Sequence, residues 1–301
     1  MKKQVRVMLM VVAFLGLSTS VFAYTAKEKL MAKRAAKMDA YRMLSERVKG
    51  VQIDSETFVS DMVTESDEIG AEFENFLKGA EPSSVNFNDA DGVCEVTMEM
   101  GLSKIIDELK LIQKHHRAGN KFQVDWVSRY TQDKVVTVKG YGAVADSPGQ
   151  KRLRAYRAAL LDAYRNILET INGLKLSGTS YVRDFVLESD TVKSEMHHFL
   201  KGARVVSTTW DTDDSCKVRI EVTLQQTIAK LKNLHKHKYL GHKDYQFEKI
   251  DVYTKEKAVS AIGEGVPRED TQKEWTEFFG EKTSGPGGEK EVVVDEEIVV
   301  E

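Results

Sequence analysis

The chain has 301 residues, 30% of them charged, with both signs mixed and a formal net charge of −3. That balance excludes the broad basic surface on which nucleic-acid binding depends. The length suffices for two domains of about 100 to 120 residues, each burying its own core, and with 4 prolines it has no long polyproline linker.

The first elements in chain order are an export signal and a long helix. Lys2, Lys3 and Arg6 precede an apolar run from Val7 to Leu17, and Val21-Phe22-Ala23 places small residues where a signal peptidase reads. This pattern predicts a signal peptide over 1–23, cleaved after Ala23, and a periplasmic or cell-envelope protein. The apolar run is short for a bilayer span, and no later segment is long enough. No cysteine lies near the cleavage site, so no lipid anchor is expected. Residues 27–49 then predict a helix, with Leu30, Met38, Tyr41, Leu44 and Val48 at three- and four-residue steps and Gly50 after the last turn.

A short extended run, Val51 to Ile53, leads to a second helix over 60–78 closed by Gly79. Ser66-Asp67 inside it either breaks the helix or caps a shorter one. A hairpin is expected from Ala80–Asn88 and Val93–Met100 through the turn Asp89-Ala90-Asp91-Gly92, then a helix from Ser103 to His115. Residues 121–144 predict a further hairpin. Gly140 and Gly142 in it lack the spacing and the Lys-Ser/Thr of a phosphate loop, and read as a strand that another backbone approaches closely.

From there the sequence repeats itself. Residues 34–42 read RAAKMDAYR and residues 157–165 read RAALLDAYR, so Arg34, Asp39 and Arg42 match Arg157, Asp162 and Arg165 at an offset of 123. Gly50 matches Gly173, Gly79 matches Gly202 and, after one deletion, Cys94 matches Cys216. A second long helix ending at Gly173, a helix over 183–201, strands Arg204–Trp210 and Cys216–Leu224, and a helix from Gln225 to His237 follow in the same order. The expected fold is α+β, two tandem duplicated modules, each a long helix plus shorter helices packed on a small antiparallel sheet. The boundaries are 1–23 signal peptide, 24–117 first module, 118–240 second module with its leading hairpin, and 241–301 a flexible C-terminal tail. The first module has no leading hairpin and must borrow or share a strand. The tail's final run, EKEVVVDEEIVVE, suits either an added edge strand or a disordered acidic segment.

The side chains offer little chemistry. Asp39–Arg42 and Asp162–Arg165 are i,i+3 ion pairs on a helix surface. Cys94 and Cys216 each lie on the apolar, period-2 face of a strand. They are two core thiols, or a bridge if the sheets meet with Cα atoms within about 7 Å. His115-His116, His197-His198 and His235 to His242 have no paired Cys or carboxylate at ligand spacing, so neither metal nor cofactor is expected. No HExxH, GxSxG or Ser-Lys pattern is present. The basic run Lys230 to Lys243 places cations at a helix C-terminus and is also placed to meet acidic lipid headgroups or the acidic tail.

The run Val138-Lys139-Gly140-Tyr141-Gly142, then RAALLDAYRNI, Gly173, DFVLESDTV (184–192) and Phe199-Leu200-Lys201-Gly202-Ala203 resembles the LPP20-type lipoprotein domain family. This family occurs in flagellar proteins associated with the outer membrane. The resemblance spans 121–225, and 26–110 without the leading strand. It implies a non-catalytic structural protein that oligomerises into flagellum-associated rings or disks, with itself or envelope proteins as partners and at most peripheral membrane contact. The alternative reading is a monomeric periplasmic binding or adaptor protein.

Overall fold

The computed structural model describes residues 24–53, 57–116, 134–254 and 256–279, without the side chains of 252, 253 and 272. Helix α1 (Ala26–Lys49) begins in a capping box: the Thr25 side chain accepts from the Glu28 N–H, and the Glu28 carboxylate accepts from the Thr25 N–H. The polar stretch near Ser66 does break the predicted second helix. Short α2 (Val59–Val63) stops at Thr64, and the Ser66 hydroxyl then caps α3 (Asp67–Lys78) by accepting from the Ile69 N–H. Strands β1 (Pro82–Asn88) and β2 (Val93–Gly101), helix α4 (Leu102–His115) and strand β3 (Val135–Ala143) follow.

The second half runs α5 (Pro148–Asn172), α6 (Val182–Val186), α7 (Asp190–Leu200), β4 (Arg204–Trp210), β5 (Cys216–Thr223) and α8 (Leu224–His237). After one 3₁₀ turn come α9 (Ile250–Tyr253), β6 (Ala258–Gly265) and α10 (Thr271–Phe279). The result is a mixed α+β fold with two antiparallel three-stranded sheets, ordered β1-β2-β3 and β4-β5-β6. One core gathers α1, α3, α4 and the first sheet; the other gathers α5 to α8, the second sheet and α10.

Two boundaries differ from the expected ones. The strand Val135–Ala143 does not lead the second unit. It pairs antiparallel with β2, from Val93 opposite Ala143 to Gly101 opposite Val135, and so completes the first sheet. The expected partner arm at 121–133 lies outside the described residues. The region after 241 is likewise not a tail throughout. β6 pairs with β5 over Cys216–Thr223, and α10 buries Trp275 and Phe279 against Tyr164 of α5.

The physical reason for both is the same glycine chemistry. Gly140 and Gly142 face Ala32, Ala36 and Ala40 of α1 so closely that any Cβ would fall inside the helix backbone. Gly263 and Gly265 stand in the same relation to Ala155, Ala159 and Ala163 of α5. A Gly-x-Gly strand laid on an alanine stripe lets sheet and helix approach at backbone distance. Glycines that suggest a linker by composition therefore belong to a packed strand. Gly50, Gly79 and Gly173 do end their helices, but with φ near −76° in the right-handed region, not in the left-handed cap usual for glycine.

Candidate functional site

The repeated Asp proves to be an edge seal. Asp39 Oδ2 accepts from the Tyr141 N–H of β3 at 3.0 Å, and Asp162 Oδ2 accepts from the Glu264 N–H of β6 at 2.9 Å. Asn166 adds a donor to the Ile262 carbonyl on the same edge of β6. Each long helix thus occupies backbone groups along the outer edge of its third strand, which could otherwise pair with another chain.

The opposite edges are different. β1 and β4 are outermost in their sheets, and among the described residues no strand pairs with their outer sides. β1 has no charged residue over its seven positions, and β4 has only Arg204. Val85 is 38% exposed and Val206 43%, with Trp210 also exposed. Pro82 and a bulge at 82–84 disturb only the start of β1, and a bulge at 205–207 only the start of β4.

The two units meet along a second feature, a cleft of about 770 Å³. Gly50 and Gly202 touch across its base: a Cβ on either would lie 2.9 Å from the other's Cα. Arg47 donates to the Gly202 carbonyl at 3.1 Å. Phe58, from the start of α2, is fully buried among the core residues of the second unit and packs edge-on against Phe199. Burying a Phe this way contributes roughly 1.5–3 kcal/mol, so the contact is firm. At the far side Arg152 joins the hairpin turns of both units, pairing with Asp91 at 2.8 Å and Asp214 at 3.2 Å.

The cleft walls hold partly and fully buried charges. Arg42 pairs with Asp39 at 2.9 Å and with Glu46 at 3.0 Å. Burial acts to lower the Arg42 pKa, but Glu46 and Asp39 beside it raise it overall. Burial pushes Glu46 upward, and does the same to Asp61 against the pull of Lys230. Lys230 is only 5% exposed, pairs with Glu195 at 3.0 Å and stands over the Phe58 ring. Behind this wall the Tyr164 hydroxyl is buried with no hydrogen-bond partner among the described residues.

The remaining sequence candidates scatter. Arg34 is exposed on α1, whereas its match Arg157 is half-buried, its pKa lowered by burial. Arg165 pairs with Glu274 of α10 at 2.9 Å. Gly79 and Gly173 lie at helix ends and do not themselves line the cleft, although Leu77 and Lys78 just before Gly79 do. Cys94 and Cys216 are both free and buried, opposite Gly142 and Gly265 in their sheets. Burial raises the Cys94 thiol and pushes that of Cys216 up to about 12. His115 and His116 share Glu72, His197 contacts the Phe278 carbonyl and His235 the Lys243 carbonyl. Among the described residues no group of three or more His, Cys, Asp or Glu is placed to hold a metal, and no helix is long and apolar enough to cross a membrane.

Sequence reasoning missed Arg47, Phe58 and Arg152, and read Lys230 as one cation of a basic run at a helix end where the structure buries it against Glu195 and Phe58. Each acts between the two units, and no local pattern marks such a residue. No protein-family model, curated protein or solved structure matches the chain.

Proposed function

We propose that this chain is a non-catalytic structural protein of the cell envelope that assembles by pairing its open sheet edges. The observation that carries the reading is the asymmetry of the edges. In each sheet the long helix ties down the third strand through Asp39 or Asp162, while β1 and β4 stay exposed and nearly uncharged. Soluble proteins usually guard such edges with lysine or a covering element, so an unguarded pair on one chain suits head-to-tail growth into a ring or filament. The two units are read as copies of one module, on the matched sheet orders, glycine–alanine contacts and Asp seals. The resemblance to the LPP20-type domain, and the export signal, extend the proposal to a flagellum-associated ring or disk in the periplasm.

The test is the mass of the mature protein by light scattering across a concentration series, beside a Val85→Lys/Val206→Lys variant. Discrete large species for the native chain, lost in the variant without loss of fold, are expected. A native monomer at every concentration, or unchanged assembly in the variant, overturns the proposal.

The cleft favours a second reading, an adaptor that holds a ligand between its units, since its volume lies within the range of small-molecule sites. A ligand that raises the melting temperature of a monomer would favour it.

A further inference from the structure

The last described helix, α10, ends at the rim of the cleft. The Phe279 ring lies 4.5 Å under the Lys201 ammonium and edge-on to His198, and both of those residues line the cleft. The chain therefore leaves the described structure at the cleft's own wall.

Six Lys or Arg side chains line the cleft against four carboxylates. Its apolar lining comes from Met38, Tyr41, Phe58, Leu77 and Phe199. A fitting occupant is apolar with an excess of negative charge. Residues 289–301 have that composition: six acidic side chains, six Val or Ile and one Lys. Between them and Phe279 stand residues 280–288, four of them glycine. Nine residues reach at most about 30 Å, and the chain sets out from the cleft's own wall. Tethering on so short a linker gives an effective concentration of the order of millimolar, so even weak intrinsic affinity fills the cleft.

We infer that the cleft between the two units is the docking site of the chain's own acidic, valine-rich segment, residues 289–301. The valines and isoleucine meet the aromatic and aliphatic walls, and the acids meet the exposed Lys78 and Lys238, whereas Lys49 is already held by Glu74 at 2.6 Å. Edge pairing through β1 and β4 and this docking are independent, because neither edge strand contributes a residue to the cleft.

Hydrogen–deuterium exchange on the full chain tests it. Amides of 292–300 are expected to exchange at least tenfold more slowly than in the free synthetic peptide of 289–301. Protection is also expected to fall to the free-peptide rate in a Lys78→Glu/Lys238→Glu variant. If that variant fails to fold, Asp295→Lys/Glu296→Lys/Glu297→Lys keeps the question answerable, since these changes leave the cleft intact. Loss of protection at 292–300, together with faster exchange around Tyr41 and Phe199, then supports docking. Free-peptide exchange rates in the native chain overturn the inference. So does protection that persists in both variants, which would place the segment on another surface. Protection that grows with protein concentration also overturns it, because the cleft would then hold a neighbouring copy's segment.

Discussion

Asp39 shows how much one side chain can do in this fold. It holds Arg42 with one oxygen and the Tyr141 N–H with the other. Asp39→Ala removes both partners at a buried position, and is expected to cost about 1.5–3 kcal/mol in urea unfolding. Asp39→Asn keeps an acceptor for the N–H and is expected to cost less. The sequence pointed to this residue through its repetition as Asp162, and its i,i+3 pair with Arg42 is present, but that is half of its role: a bond to a strand far along the chain is not visible in sequence, and at Asp162 the matching arginine, Arg165, pairs with Glu274 instead. The cysteines were legible from their alternation with valines. With the thiols buried and titrating high, iodoacetamide at pH 8 is expected to leave both unmodified until the chain is unfolded, as mass spectrometry would show. Glu188 carries the clearest pH dependence. Hydrogen bonds from Lys243, Tyr239 and Tyr245 hold it down at about 2, below its ordinary 4.5. A depressed carboxylate stabilises the fold above its unfolded pKa, and that contribution is lost as pH falls from about 4.5 toward 2. Glu188→Gln should therefore flatten the drop in urea midpoint across that window; an equal drop in native and variant would show that the cluster is not coupled to folding.

Among the elements, the helices up to His237 and the two central hairpins were legible, because three- and four-residue spacing, Ser caps and Asp-rich turns are local signals; α9 and α10 were not, since they lie in a stretch that composition assigns to a flexible tail. The third strand of each sheet was not. Val135–Ala143 has strand composition, but its partner is decided by contact with α1, and Ala258–Gly265 is masked by glycines that composition assigns to a linker. The backbone contact at those glycines makes a sharp prediction. Gly140→Val is expected to lower stability by about 3 kcal/mol or more, the upper end of overpacking costs, because the obstacle is the backbone of α1 and no side chain can yield. Gly178→Ala, with nothing within 4 Å of the added methyl, should stay within about 0.5 kcal/mol of the native chain. Thermal melts of the pair check both.

At the scale of the whole molecule, the repeated sequence segments were readable but the division between the two packed cores was not, since the repeat shows which segments correspond and not which pack together. The cleft depends on residues from both halves, and no local sequence pattern marks it. Arg152 is the place to ask whether the halves are energetically one body. Arg152→Ala cuts the link between Asp91 and Asp214, and if the units unfold cooperatively a single calorimetric transition should persist at lower temperature. Two separated transitions would show that this bridge couples them. The late position of β3 has a further consequence during synthesis. A ribosome making about 5–20 residues per second needs roughly two to eight seconds to go from the end of β2 to the end of β3. Through that interval the nascent chain carries the alanine stripe of α1 and a bare flank of β2, and the same wait recurs between β5 and β6. Lengthening the chain between α4 and β3 is expected to prolong the period in which a half-made sheet can capture the wrong strand.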